Sequence, residues 1–173
     1  MIDFLRKRNR LPRPAYVARN WYFVTVCTRE RRPHFHDGDL VDRLLRILRN
    51  ASSSQGFDVY AYCFMPDHLH LELAGFSRWC ELSVLMREFK GKAARQVRET
   101  GLRGLWQKGY YDHVLREGED EKAVAWYILN NPVRKGLVKD ARQWPYCGSW
   151  VFDWKRALDP PGKFVPPWKT VAG

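Results

Sequence analysis

Phe57-Asp58-Val59-Tyr60-Ala61-Tyr62-Cys63-Phe64-Met65-Pro66-Asp67-His68-Leu69-His70-Leu71-Glu72-Leu73 is the stretch that decides how this chain folds. Phe57 to Phe64 is aromatic and β-branched and follows the break Ser52-Ser53-Ser54-Gln55-Gly56, so it reads as a strand. Pro66-Asp67 makes a turn, and the residues beyond it alternate. Strand side chains point to opposite faces in succession, which sends Leu69, Leu71 and Leu73 to one side and His68, His70 and Glu72 to the other. The stretch is therefore a hairpin whose second strand is apolar on one face and carries two imidazoles side by side on the other. Imidazole is the commonest protein ligand for a transition-type metal, and a pair on a rigid element needs only one or two further donors to hold an ion.

Outward from the hairpin, Trp21 to Thr28 has the profile of a buried strand. Asp39 to Ser53 places Leu40, Leu44, Ile47 and Leu48 at helical spacing. Leu82, Leu85, Met86, Phe89, Ala93 and Val97 mark the apolar stripe of a second helix, whose other faces hold Arg87, Lys90, Lys92, Arg95 and Arg98. Trp106 to Leu115 supplies a fourth strand, bent at Lys108-Gly109. The order strand, helix, strand, strand, helix, strand predicts an α+β fold of the ferredoxin-like, split βαβ kind, with a four-stranded antiparallel sheet and both helices on one face. A third helix over about 119–131 starts at the acids Glu119-Asp120-Glu121 and ends before Pro132. Residues 1–19 form a basic arm, 20–138 the main domain, and 139–173 a C-terminal extension with an irregular, proline-rich tail.

Composition narrows the partner. Of 173 residues, 45% are hydrophobic and 28% charged, as in ordinary globular chains, but 30 Lys plus Arg against 19 Asp plus Glu leave a net charge of +11. A fold does not need that excess, whereas a polyanion is attracted by it, so nucleic acid leads the partner classes. Cys27, Cys63, Cys80 and Cys147 show neither a CxxC pair nor regular spacing, which argues against a zinc cluster or a disulfide scaffold and for a reducing compartment. With no run of about 18 apolar residues, no membrane span is expected and the chain is read as cytoplasmic.

A second His-x-His, His34-Phe35-His36, lies between Arg31-Arg32-Pro33 and Asp37-Gly38-Asp39, in a loop where no pleat holds two rings in parallel. His68 and His70 are the candidate pair. On the third helix Tyr127 and Asn131 are four apart and share a face that Ala123 continues. If that face packs on the histidine side of the sheet, Asn131 can offer its carbonyl oxygen to an ion and Tyr127 can lie beside it. Tyr110 and Tyr111 are rival nucleophiles, of which alternation lets at most one face the histidines.

His68-Leu69-His70 followed by Tyr127 in Trp126-Tyr127-Ile128-Leu129-Asn130-Asn131-Pro132-Val133-Arg134-Lys135-Gly136-Leu137-Val138 resembles the single-tyrosine HUH transposases of bacterial insertion sequences, and more narrowly the REP-associated tyrosine transposases. Met65-Pro66-Asp67-His68, Leu105-Trp106-Gln107-Lys108-Gly109-Tyr110-Tyr111-Asp112-His113 and Trp144-Pro145-Tyr146 are similar to signatures of that family. The resemblance implies a nuclease domain in which His68, His70 and Asn131 bind a divalent ion, Mg²⁺ or Mn²⁺, and Tyr127 is the catalytic tyrosine. It implies single-stranded, hairpin-forming repeated palindromes as substrate, cut through a 5′-phosphotyrosine. Glu72 shares the histidine face and could touch the ion or its water, but the resemblance assigns it no role and it is read as a solvated strand carboxylate. Arg6, Arg8, Arg10 and Arg13 of the arm and Arg87, Lys90 and Arg95 of the second helix are the expected DNA contacts. A hairpin-binding protein without cleavage and a metal-dependent hydrolase using water are the alternatives, and the oligomeric state stays open between monomer and homodimer.

Overall fold

The alternating run becomes the middle strand of the molecule. In the computed structural model, which describes residues 20–156 and Val165, the strands are β1 (Trp21–Cys27), β2 (Phe57–Met65), β3 (His68–Gly75), β4 (Tyr111–Val114) and β5 (Cys147–Gly148). They pair antiparallel in one sheet of order β4-β1-β3-β2-β5. The helices are α1 (Gly38–Ser54), α2 (Leu82–Arg98), α3 (Glu121–Leu129) and α4 (Asn131–Arg134). The arm with Arg6, Arg8, Arg10 and Arg13 lies outside the described residues, as does most of the proline-rich tail.

Leu69, Leu71 and Leu73 have no exposed surface and share a core with Val41, Leu44 and Leu48 of α1 and Leu85, Met86 and Phe89 of α2. Each such leucine contributes on the order of 2 kcal/mol by leaving water. On the opposite face, Phe23, Ala61, Cys63 and Met65 meet Val124, Ala125, Ile128 and Leu129 of α3. Helices α1 and α2 therefore cover one face together, as the periodicity predicts, and α3 covers the histidine face.

A β-bulge makes β2 serve both layers. Val59 pairs with Leu73 and Ala61 with Glu72, so Tyr60 is an extra residue in the ladder. Phe57 and Val59 face α1 and α2 before it, and Phe64 does so after it, while Ala61, Cys63 and Met65 turn to α3. One inserted residue reverses the parity of everything beyond it.

Three expectations change. Regular pairing in the fourth strand is confined to Tyr111–Val114, because Gly109 takes φ +77 and turns the chain; Trp106 keeps a single bridge to Thr28. The third helix stops at Leu129, with Asp120 capping its start by accepting from the Lys122 N–H at 2.8 Å. Pro132 then sits in the first turn of α4, where its missing N–H is not needed and its fixed φ suits a helix start. Helix α4 ends with Gly136 at φ +70, the Gly136 N–H donating to the Val133 carbonyl and the Leu137 N–H to the Pro132 carbonyl. Finally, the segment after residue 139 is not wholly irregular: β5 adds a fifth strand to the four expected. It satisfies the outer edge of β2, and the Trp144 indole N–H donates to the Phe64 carbonyl at 2.9 Å. Gly148 is required there, since a Cβ would stand 2.6 Å from the Tyr62 hydroxyl.

Candidate active site

His68 and His70 stand on the central strand under α3, each only 8% exposed. Their rings meet at 85° and their Nε2 atoms are 3.0 Å apart. Each ring is fixed from behind through Nδ1. His68 Nδ1 lies 2.5 Å from Asp67 Oδ1, and His70 Nδ1 lies 2.8 Å from Oγ1 of Thr25, its cross-strand partner on β1. To ligate an ion through Nε2, each imidazole would carry its proton on Nδ1, His68 donating to Asp67 and His70 to the Thr25 hydroxyl. Carboxylate and hydroxyl partners of this kind orient metal-ligating imidazoles.

Asp67 is held in turn by Arg31, whose Nε is 2.8 Å from Oδ2 and whose Nη1 donates to Cys27 Sγ at 2.8 Å. Arg31 and its neighbour Glu30 both adopt left-handed backbone, at φ 56 and 57, a strained turn that places this guanidinium against the hairpin. Burial pushes the Asp67 carboxyl up, but the hydrogen bond and charge of His68 and the charge of Arg31 outweigh it and hold the carboxyl below its ordinary value.

Burial keeps His70 well below the ordinary imidazole range, reinforced by His68, Arg134, Arg31 and Lys135. His70 is thus neutral at neutral pH, the form that ligates a metal, and basic side chains from the turn after β1 and the end of α4 bear on it. Arg31, Arg134 and Lys135 went unread in the sequence, although Arg134 follows Tyr127 by seven residues, two helical turns.

Tyr127 reaches the same face. The Phe23 ring lies 5.4 Å from that of His70 and 6.2 Å from that of Tyr127, bridging the two. Asn131 is 3% exposed on α4, which packs on β2, and its amide nitrogen is buried without a hydrogen-bond partner. Turning that amide over exchanges the nitrogen for its carbonyl oxygen, the atom a cation takes. Among the described residues no three His, Cys, Asp or Glu side chains are grouped to hold an ion. The donors that would hold an ion are instead the imidazole pair, whose Nε2 atoms lie 3.0 Å apart, and the unpartnered Asn131 amide.

The other expected residues divide. Arg87 and Arg95 are exposed on α2, against the opposite face of the sheet. Lys90 donates to the Gln107 carbonyl at 2.9 Å and to that of Gly109, tying down the turn before β4. His34 and His36 flank Phe35, whose ring is fully buried against Phe64, so their loop serves packing. Tyr111 pairs with Thr25 and shares the histidine face, its ring 6.4 Å from Phe23, while Tyr110 packs toward the other core. Burial, with Asp112 and Glu119, pushes the Tyr111 phenol up to about 12, which makes it a poor nucleophile. Glu72 corrects the reading of a solvated carboxylate: it has no exposed surface, and neither oxygen has a hydrogen-bond partner. Burial, then Glu121 and Asp120, pushes its pKa up to about 9, so it is a neutral acid at neutral pH. Its neighbours across the sheet, Phe23 and Ala61, offer no polar group, and α3 closes over it, which the pattern of β3 alone does not reveal.

The chain is 27% identical over 151 residues to the REP-associated tyrosine transposase of Escherichia coli (strain K12), covering 80% of this chain and 87% of that protein. Its fold matches the structure of a REP-associated tyrosine transposase bound to a REP hairpin with a TM-score of 0.68, at 22% identity, over 91% of this chain and 99% of the other. The family model described as "Transposase IS200 like" matches residues 16–131, which includes β1 through the start of α4 and with them His68, His70, Tyr127 and Asn131. With two-thirds of its length inside that match, the chain belongs to the IS200-like transposase family, and it is a transposase.

Proposed function

We propose that this transposase cuts and rejoins single-stranded DNA at hairpin-forming repeated palindromes, with Tyr127 as nucleophile and with His68, His70 and Asn131 holding a divalent ion, Mg²⁺ or Mn²⁺. The observation that supports this reading is the Phe23 ring, which contacts both the His70 ring and the Tyr127 ring on the face that carries the imidazole pair. When bound, the ion would supply Lewis-acid polarisation of the scissile phosphate. The residues of the chain do the rest. Asp67 and Thr25 hold the imidazoles in orientation, Arg31, Arg134 and Lys135 draw the phosphate in, and Tyr127 attacks through Oη. The product is a 5′-phosphotyrosine and a free 3′-hydroxyl. One phosphodiester replaces another, so the bond energy is kept and a different 3′-hydroxyl can reverse the step without ATP. The hairpin substrate is supported by the relative whose structure holds a REP hairpin. The four free cysteines suit work in the reducing cytoplasm. No helix among the described residues is long and apolar enough to cross a membrane.

End-labelled hairpin DNA incubated with the protein and Mg²⁺ or Mn²⁺ tests the reading. The expected result is a covalent protein–DNA adduct whose formation falls by more than about 1000-fold in Tyr127→Phe. Cleavage that survives Tyr127→Phe would identify a water-using hydrolase, binding without cleavage would identify a hairpin binder, and peptide mapping of the label to Tyr111 would move the nucleophile.

A further inference from the structure

Tyr127 does not stand alone at the histidine face. The Arg134 guanidinium lies over its ring, Cζ 3.8 Å from the centroid, with Nη2 donating to Oη at 3.0 Å and Nη1 to the Tyr127 backbone carbonyl at 3.4 Å. Tyr127 is near the end of α3 and Arg134 is the last residue of α4, so the break at Asn130 and the tight end of α4 at Gly136 bring the two together. Arg134 is exposed, and an exposed ion or hydrogen bond of this kind adds little to stability while ordering a long side chain costs entropy. The stacking of the guanidinium on the ring contributes only modestly at an exposed site. The same guanidinium is near enough for its charge to bear on His70, together with those of Arg31 and Lys135.

We propose that Arg134 is a catalytic residue of strand transfer: its guanidinium bridges Tyr127 Oη and a non-bridging oxygen of the scissile phosphate, and balances the charge on the tyrosine oxygen in cleavage and in rejoining. The proposal rests on Tyr127 being the nucleophile. A guanidinium has five donors in a planar fork and stays charged at any working pH, so it can serve Oη and a phosphate oxygen at once. In cleavage, Oη forms a bond to phosphorus as the bond to the 3′-oxygen breaks; the phenol proton passes to solvent and a solvent proton ends on the 3′-oxygen. In rejoining, the incoming 3′-hydroxyl loses its proton to solvent and attacks phosphorus, and the Tyr127 oxygen leaves with the electron pair and is reprotonated by solvent. Negative charge builds on Oη before attack and again on departure, beside the same cation. Arg134 therefore acts on both directions, which separates it from a residue that only gathers DNA.

The test compares wild type, Arg134→Ala, Arg134→Lys and Tyr127→Phe in single-turnover adduct formation and in rejoining from isolated adduct, at saturating hairpin DNA with Mn²⁺. Removing a charge-stabilising donor of this kind should slow both directions of Arg134→Ala by about 100-fold at a nearly unchanged melting temperature. Arg134→Lys should recover part of the rate, and added ethylguanidinium should restore Arg134→Ala but not Tyr127→Phe. Full rates in Arg134→Ala at saturating DNA, a defect confined to hairpin affinity, or indifference to ethylguanidinium would overturn the role of Arg134 and leave Tyr127 in place. An adduct that persists in Tyr127→Phe would overturn both.

Discussion

Glu72 lies fully buried without a hydrogen-bond donor for either oxygen, between Phe23 and Ala61 on the sheet and beneath α3. Its pKa of about 9 in the folded protein stands above its ordinary 4.5, so folding holds a proton that the unfolded chain releases between those values. For a raised carboxyl, stability is fully present below about pH 4.5 and is lost as pH rises toward about 9. At pH 7 the loss amounts to about 3 kcal/mol for the pKa values of 4.5 and about 9. Glu72→Gln should therefore be more stable than wild type at pH 7 by an amount of that order, and the two should converge near pH 4.5. Chemical denaturation in the presence of a chelator, at a series of pH values, checks this; a gap that does not widen with pH would contradict it. The residues around the histidines were only partly legible in the sequence. Alternation alone put His68, His70 and Glu72 on one face, but Thr25 reaches His70 through strand register, and register across β1 is set by contacts between distant segments.

At the scale of elements, the bulge at Tyr60 governs which residues of β2 meet α3. Deleting Tyr60 leaves Val59 on the α1 and α2 side and Ala61 on the α3 side, so both halves keep their faces. The shortened chain should fold, losing the Trp21–Tyr60 ring contact at 4.2 Å, which is worth about 1 kcal/mol. Deleting Cys63 instead should invert the end of the strand and abolish cooperative unfolding, as thermal melts followed by circular dichroism will show. The apolar stripe of α2 was readable because Leu82, Leu85, Met86, Phe89, Ala93 and Val97 repeat with the helix and are all buried. Strand β5 was not, since Cys147–Gly148 carries no period and exists because the edge of β2 needs partners. The split between α3 and α4 was half legible: Pro132 marks a break, but whether it ends a helix or starts one is decided by the closure at Gly136, four residues further along the chain.

At the scale of the molecule, the net charge of +11 is a property of the whole chain, while Arg31, Arg134 and Lys135 concentrate part of it at the imidazole pair. Hairpin binding should weaken linearly as log salt rises, and Lys135→Gln should reduce the magnitude of that slope by about one if Lys135 neutralises one phosphate. A slope unchanged in Lys135→Gln, measured by fluorescence anisotropy, would remove that residue from the DNA path. The sheet also separates two unlike compartments. Behind it, α1 and α2 enclose a largely apolar core around Leu69, Leu71 and Leu73; in front, two histidines and an unpartnered acid share the face that the shorter α3 covers, with a buried asparagine amide on α4. The sheet works as a bulkhead: apolar exchanges that preserve volume behind it can accumulate through divergence without reaching the chemistry, whereas the front tolerates little drift, so relatives of this chain should differ most where the protein is held together and least where it works.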